Sequence, residues 1–186
     1  MTLTQYYTAT TLDGFIADPD NSLGWLFTRK QDKDGPLSYG AFIADVGAIA
    51  MGSTTYEWII DHEYSGKDVA DWKWMYDVPC WVFTHRQLPV VPDAAIEFVS
   101  GDVAPVHEQL LAAAGDRNVW IVGGGDLVGQ FADVGLLDEV IVYIAPVTLG
   151  AGAPLLPRRI ELQLEELDRN IDFACARYSV VRPDDA

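Results

Sequence analysis

Two stretches of this chain place bare backbone and hydroxyl groups where an anion can be held. In the first, Val119-Trp120-Ile121-Val122 runs into Gly123-Gly124-Gly125, and Asp126-Leu127-Val128 opens a helix-like segment. Glycine has no Cβ, so a ligand can come against the main chain and φ > 0 is allowed. The following helix turns free N–H groups and the positive end of its dipole back at the turn, which suits a phosphate. In the second stretch, Ala48-Ile49-Ala50-Met51 ends at Gly52, and Ser53-Thr54-Thr55 lead into another helix. Two such turns in one α/β domain fit one extended diphosphate ligand, which makes Gly52 to Thr55 and Gly123 to Val128 the expected cofactor residues. The spacing Gly123-x-Gly125-x-x-x-Gly129 is not the G-x-G-x-x-G dinucleotide fingerprint, and no P-loop lysine follows. Asp126 has two readings: it caps its helix, or its charge competes with a phosphate for the same N–H groups.

Other residues carry weaker signals. Thr84-His85-Arg86 closes an apolar run and offers a hydroxyl, an imidazole and a guanidinium to an adenosine ribose or 2′-phosphate. Asp13-Gly14-Phe15 follows the first strand; Asp13 either orients a substrate and relays a proton, or closes a turn. Trp25 is either a stacking wall for a flat ring or core packing. Asp13, Trp25, Phe42 and Tyr143 form the expected substrate set. Trp72, Trp74 and Tyr76 cluster in a polar segment and read as a lid or a contact between copies. His62, His85 and His107 lack paired metal-ligand spacing, so no metal is expected. Cys80 and Cys175 each sit in an apolar, strand-like run and read as buried, inert thiols.

Composition bounds the rest. A chain of 186 residues, 49% hydrophobic with six Trp, suits one globular domain over 1–186. The formal net charge of −16 argues against nucleic acid and anionic membranes as partners. With 12 Lys and Arg in all, a phosphate site must lean on backbone N–H groups and hydroxyls. No apolar run approaches the roughly 20 residues of a membrane span. The first residues lack the pattern of a signal peptide, so a cytoplasmic protein is expected.

The elements that must position these residues follow from periodicity. Strands are expected over Thr4–Thr10, Ala48–Met51, Pro79–Thr84, Ala95–Val99, Val119–Val122, Glu139–Val147, Glu161–Asp168 and Asp172–Arg182. Helices are expected from Ser38 to Asp45, from Thr54 to His62 behind a Thr54/Glu57 capping box, from Asp102 to Gly115, and from Leu127 to Val134. The order predicts an α/β domain whose middle strands are parallel and whose final pair is antiparallel. Binding belongs at the carboxyl ends of the central strands.

The ordered set resembles the dihydrofolate-reductase-like superfamily, in the branch of the C-terminal reductase domain of the bifunctional riboflavin-biosynthesis protein RibD. The matching pieces are Thr11-Leu12-Asp13-Gly14-Phe15-Ile16-Ala17, Met51-Gly52-x-x-Thr55-Tyr56-Glu57, Val122-Gly123-Gly124-Gly125-x-Leu127, and the run from Gly135-Leu136-Leu137-Asp138-Glu139 to Pro146-Val147-x-Leu149-Gly150-x-Gly152-x-Pro154-Leu155. The resemblance implies a mostly parallel sheet of about eight strands with flanking helices and an antiparallel C-terminal strand. It implies NADPH as cofactor and hydride transfer to a small heterocycle, of pterin type or of the 5-amino-6-(5-phosphoribosylamino)uracil type of riboflavin biosynthesis. By the same resemblance Gly52 to Thr55 and Gly123 to Val128 face the cofactor diphosphate, Thr84 and His85 the adenosine end, and Asp13 and Gly14 the nicotinamide and substrate. A homodimer is implied too. The competing expectation is a non-catalytic nucleotide-binding or interaction module on a retained reductase fold.

Overall fold

Six parallel strands share one carboxyl edge, and that edge is what the fold contributes to function. In the computed structural model, which describes residues 1–182, they are β1 (Thr4–Thr11), β3 (Val46–Gly52), β4 (Cys80–Phe83), β5 (Ile96–Val99), β6 (Asn118–Gly123) and β7 (Glu139–Ala145). A three-residue β2 (Phe15–Ala17) and a two-residue β8 (Ala153–Pro154) pair beside the sheet. The C-terminal strands β9 (Leu162–Asn170) and β10 (Phe173–Val180) complete it. The order across the eight-stranded sheet is β5-β4-β3-β6-β1-β7-β10-β9. Only β10 runs against its neighbours, pairing antiparallel with both β7 and β9. In register, Met51 lies beside Gly123 and Gly52 beside Phe83, so those strand ends are level.

Alternation along the central strands feeds two cores. Trp120, Ile141 and Tyr143 point to one face, joined by Tyr7, Ile49 and Met51. Tyr6, Ala48, Ala50, Val119, Ile121, Val140 and Val142 point to the other. Helices cover both faces, the arrangement that lets parallel strands be apolar on both sides. On the first face lie α1 (Gly24–Phe27), α2 (Tyr39–Ala44) and α3 (Ser53–Tyr64), which buries Tyr56, Ile59, Ile60 and Tyr64. On the second lie α4 (Val103–Ala114) and α5 (Gly125–Asp133), which buries Leu127, Val128 and Phe131.

Adjacent strands β3 and β6 therefore send their helices to opposite faces. That divergence opens a crevice at their carboxyl ends, the topological switch point where ligands bind in open α/β sheets.

Local details depart from expectation. The Thr54/Glu57 capping box does not form: α3 starts one residue earlier, its N-cap is Gly52, and no side chain caps it. Glu57 instead turns to Arg86, 2.6 Å away. Asp102 holds the N-cap position of α4 without making the side-chain hydrogen bond. The last strand stops at Val180 rather than Arg182, whose guanidinium reaches Asp138 at 2.6 Å. The little β2–β8 pairing was not expected; strands of two and three residues leave no periodic signal.

Candidate active site

A cleft of about 1080 Å³ opens at the switch point. Its polar end is built from the turns after β3, β4, β5 and β6: Gly52 to Thr55, Thr84 to Arg86, Ser100 with Gly101, and Gly123 to Leu127. Both helices that begin here have glycine N-caps, Gly52 and Gly124, and no side chain caps either one. The N–H groups of the first turn of a helix have no partner within it. Those of α3 and α5 are left to whatever enters the cleft.

The three glycines of the second turn do different jobs. Gly123 has φ of +139°, a conformation side chains rarely adopt. At Gly125 an added Cβ would run into the carbonyls of Pro154 and Leu155. The fold itself requires both. Gly124 is different: a Cβ there would meet nothing nearer than Ile16 at 4.0 Å. It lines the cleft, and its missing side chain leaves that part of the cleft open. The peptide bond between Gly123 and Gly124 is cis.

Asp126 does not compete for the free N–H groups. Gln130 donates to it at 3.1 Å and Arg158 at 2.9 Å. These two bonds hold its carboxyl below the ordinary value and draw the charge off the turn. Arg158 also binds Asp133 at 3.0 Å.

Arg86 is the cation of the polar end. One guanidinium nitrogen donates to Ser53 Oγ at 3.1 Å, and two grip Glu57 at 2.9 and 2.6 Å. The side chain is 58% exposed, so the pair is open to exchange with an anion.

The other end of the cleft is aromatic. Tyr7, Tyr39, Tyr76, Trp120, Tyr143 and Phe173 line it. Trp120 forms the floor, edge-on to Tyr39 at 5.9 Å and to Tyr76 at 5.7 Å. Its indole N–H donates to the Tyr7 carbonyl at 3.1 Å, fixing the ring. Tyr143 donates to the Pro36 carbonyl at 2.6 Å and accepts from Asn170 at 3.1 Å. Burial raises the Tyr143 phenol to about 12.

Several expected site residues lie elsewhere. Asp13 is outside the cleft: its carboxylate accepts from Thr11 Oγ1 at 2.5 Å, from Leu149 N–H at 3.0 Å and from Gly150 N–H at 2.7 Å. The Thr11 hydroxyl above all, then these backbone N–H groups, holds it below the ordinary carboxyl value. An ionised group already bonded three ways is a poor proton relay, so Asp13 closes a turn. Gly14 belongs to that turn, accepting from Leu155 N–H at 2.8 Å. Trp25 is buried in the core. Phe42 stacks behind the cleft on Tyr7, with centroids 4.4 Å apart. Val128, on the inner face of α5, is fully buried, and its N–H is spent on the Gly124 carbonyl. Residue type pointed to these positions, and burial or local hydrogen bonding took the side chains away.

Other lining residues had a signal that went unused. Trp120 and Val122 alternate with Val119 and Ile121 on a strand that ends at the glycine turn, so one of the two sets had to face the cleft side. The aromatic stretch after α3 does not stand off as a lid. Trp72 stacks on Tyr64 at 4.9 Å and Trp74 tilts against Tyr56 at 5.7 Å, which leaves Met75 and Tyr76 as cleft wall. Cys80 and Cys175 are buried thiols, and burial raises both. His107 is buried and bonded to Thr4 Oγ1 at 2.7 Å, far from the cleft lining.

Comparison with known proteins accounts for this architecture. The model of the RibD C-terminal domain matches residues 4–173. The chain belongs to the RibD C-terminal domain family. Among curated relatives, the uncharacterized protein YwjB of Bacillus subtilis (strain 168) is 32% identical over 152 residues, 82% of this chain and 81% of that protein. A crystal structure from Shewanella sp. PV-4, provisionally named for riboflavin biosynthesis, superposes with a TM-score of 0.78 at 24% identity, covering 97% of this chain and all of that one. The deaminase/5-amino-6-(5-phosphoribosylamino)uracil reductase of Thermotoga maritima superposes with a TM-score of 0.62 at 16% identity, over 97% of this chain and 57% of that one. The RibD C-terminal fold is thus the frame on which this chain's own cleft residues are set. Among the described residues no helix is long and apolar enough to cross a membrane.

Proposed function

We propose that this chain is an NADPH-dependent reductase of a planar heterocycle. The observation that carries this reading is the pair of uncapped helix N-termini, α3 and α5, meeting at level strand ends beside an aromatic pocket. Ser53, Thr54, Thr55 and the first-turn N–H groups of both helices would take the diphosphate. Thr84, His85 and Arg86 would take the adenosine end, with Arg86 leaving Glu57 for a 2′-phosphate. A reduced nicotinamide supplies hydride when bound. The chain's own part is positioning: Gly124 admits the cofactor to the main chain, and the Trp120 floor holds the acceptor ring flat and dry. The family membership and the T. maritima reductase's name support the same reaction class.

The test is loss of NADPH absorbance when the purified protein is offered pterin, pyrimidine and flavin substrates in turn. Turnover of any one with NADPH supports the proposal. Saturable NADPH binding with no turnover would favour the non-catalytic nucleotide-binding reading. Binding of neither NADPH nor NADH would contradict both.

We further infer a homodimer formed through β9. It is the sheet edge, and an edge strand offers unpaired N–H and C=O groups to another chain. Leu162, Leu164 and Leu167 stand exposed on it. Light scattering on a sizing column should give twice the chain mass, and Leu164→Lys with Leu167→Lys should return it to one.

A further inference from the structure

The aromatic half of the cleft has a property that bears on what it accepts. The sole Lys or Arg among the described lining residues of the whole cleft is Arg86. Arg86 follows β4, and Tyr143 lies on β7, four strands away in the sheet order. At the usual strand spacing that is about 19 Å. Trp120, on β6, is two strands away, about 10 Å. Arg86 is moreover engaged by Glu57 and Ser53 at the polar end. Among the described residues no other Lys or Arg lines the cleft, and the carboxylate that lines it from α3 is that of Glu63.

The same region is unusually apolar at its mouth. Phe27, Tyr39 and Met75 line it and are 61%, 43% and 52% exposed. Phe27 continues a stack with Trp58 and His62, at 6.3 and 5.4 Å between centroids. Large apolar side chains left exposed around a concavity mark a surface meant to be covered. The polar groups offered there include the Tyr39 and Tyr76 hydroxyls, the Gln31 amide and the His62 imidazole; among the described residues neither hydroxyl nor the Gln31 amide is bonded within the chain. Burial raises both phenols, so they stay protonated.

Resting on the reductase reading above, we infer that the substrate is an uncharged planar ring without a phosphate. A phosphorylated substrate would bring its charge into an apolar recess with no Lys or Arg to meet it, on a protein of net charge −16. Desolvating an unpaired charge is costly enough to decide the choice. A neutral ring packs in the recess between Tyr39 and Tyr76, above the largely buried Trp120, and its edge meets the two hydroxyls and the Gln31 amide.

The test is calorimetric titration with matched pairs, riboflavin against riboflavin 5′-phosphate and uridine against uridine 5′-phosphate, on protein saturated with NADP⁺ to block turnover. The unphosphorylated member of at least one pair should bind more tightly by about ten-fold or more. Gln31→Lys should narrow that gap to within about three-fold by supplying the missing cation. Equal or tighter binding of the phosphorylated members would overturn the inference, as would failure of both unphosphorylated members to bind. A gap that Gln31→Lys leaves unchanged would also count against it. NADP⁺ saturation is measured first, so loss of the cofactor reading is seen separately; if NADP⁺ does not bind, the pairs are titrated on the free protein.

Discussion

Two turns of this molecule each follow a parallel strand and carry glycine and aspartate, and they differ in use. Gly123 to Leu127 leaves its helix N–H groups uncapped and opens onto the cleft. Thr11 to Gly14 carries an acid, a hydroxyl and a glycine, and it meets the Leu149–Gly150 turn. There the acid, the hydroxyl and the glycine carbonyl are engaged inside the chain: Asp13 accepts from Thr11, Leu149 and Gly150, and Gly14 accepts from Leu155. A residue type suggests chemistry only if the fold leaves its donors or acceptors unused. The difference lies in accounting for each hydrogen-bonding group, which a motif does not contain.

The largest effect should come from filling the open turn. Gly124→Val puts a side chain into ligand space and should weaken NADPH binding by about 100-fold or more, roughly 2.7 kcal/mol. The circular dichroism spectrum should be unchanged. Gly125→Ala should do the reverse. Its Cβ meets the carbonyls of Pro154 and Leu155, so it should cost about 1–3 kcal/mol of stability in urea unfolding. If Gly124→Val unfolded the protein and Gly125→Ala only weakened binding, the division of labour within the turn would be reversed.

Next comes the cation of the polar end. Arg86→Ala should weaken NADPH by about ten-fold, near 1.4 kcal/mol, and leave NADH almost unchanged. Equal losses for the two dinucleotides would assign Arg86 to the diphosphate rather than to a 2′-phosphate.

The closed turn should respond to pH and not to cofactor. The folded Asp13 carboxyl is held below its ordinary value, so its contribution to stability is present above that value. It is lost as pH falls through the lower folded value. Asp13→Asn should therefore lower Tm at neutral pH, and its gap to the wild type should close below about pH 4. Its Kd for NADPH should stay within about three-fold of wild type. A large loss of cofactor affinity in Asp13→Asn would bring the two turns back together.

Much of the fold was legible because it is periodic. The apolar runs of β3, β6 and β7 and the Tyr and Thr of β1 declared the central strands, and Gly115 marked the end of α4. The glycine turns placed the cleft at the right strand ends. What the sequence did not disclose depends on neighbours distant along the chain. Whether Glu57 caps its own helix or grips Arg86 is decided 29 residues away. Whether Trp25 or Trp120 faces a ligand is decided by which helix covers it. The β2–β8 pairing joins Phe15 to Pro154 and rests on too few residues to leave a pattern.

The central claim is that the crevice between β3 and β6 is a nicotinamide dinucleotide site. Trp58 and Trp120 line that cleft, so their fluorescence reports on its contents directly. The measurement is titration of the wild-type protein and of Gly124→Val with NADPH, following tryptophan quenching. The account predicts saturable quenching at about micromolar NADPH in the wild type, near −8 kcal/mol, and none at the same concentrations in the variant. Equal quenching of both proteins, or no quenching of either, would contradict it.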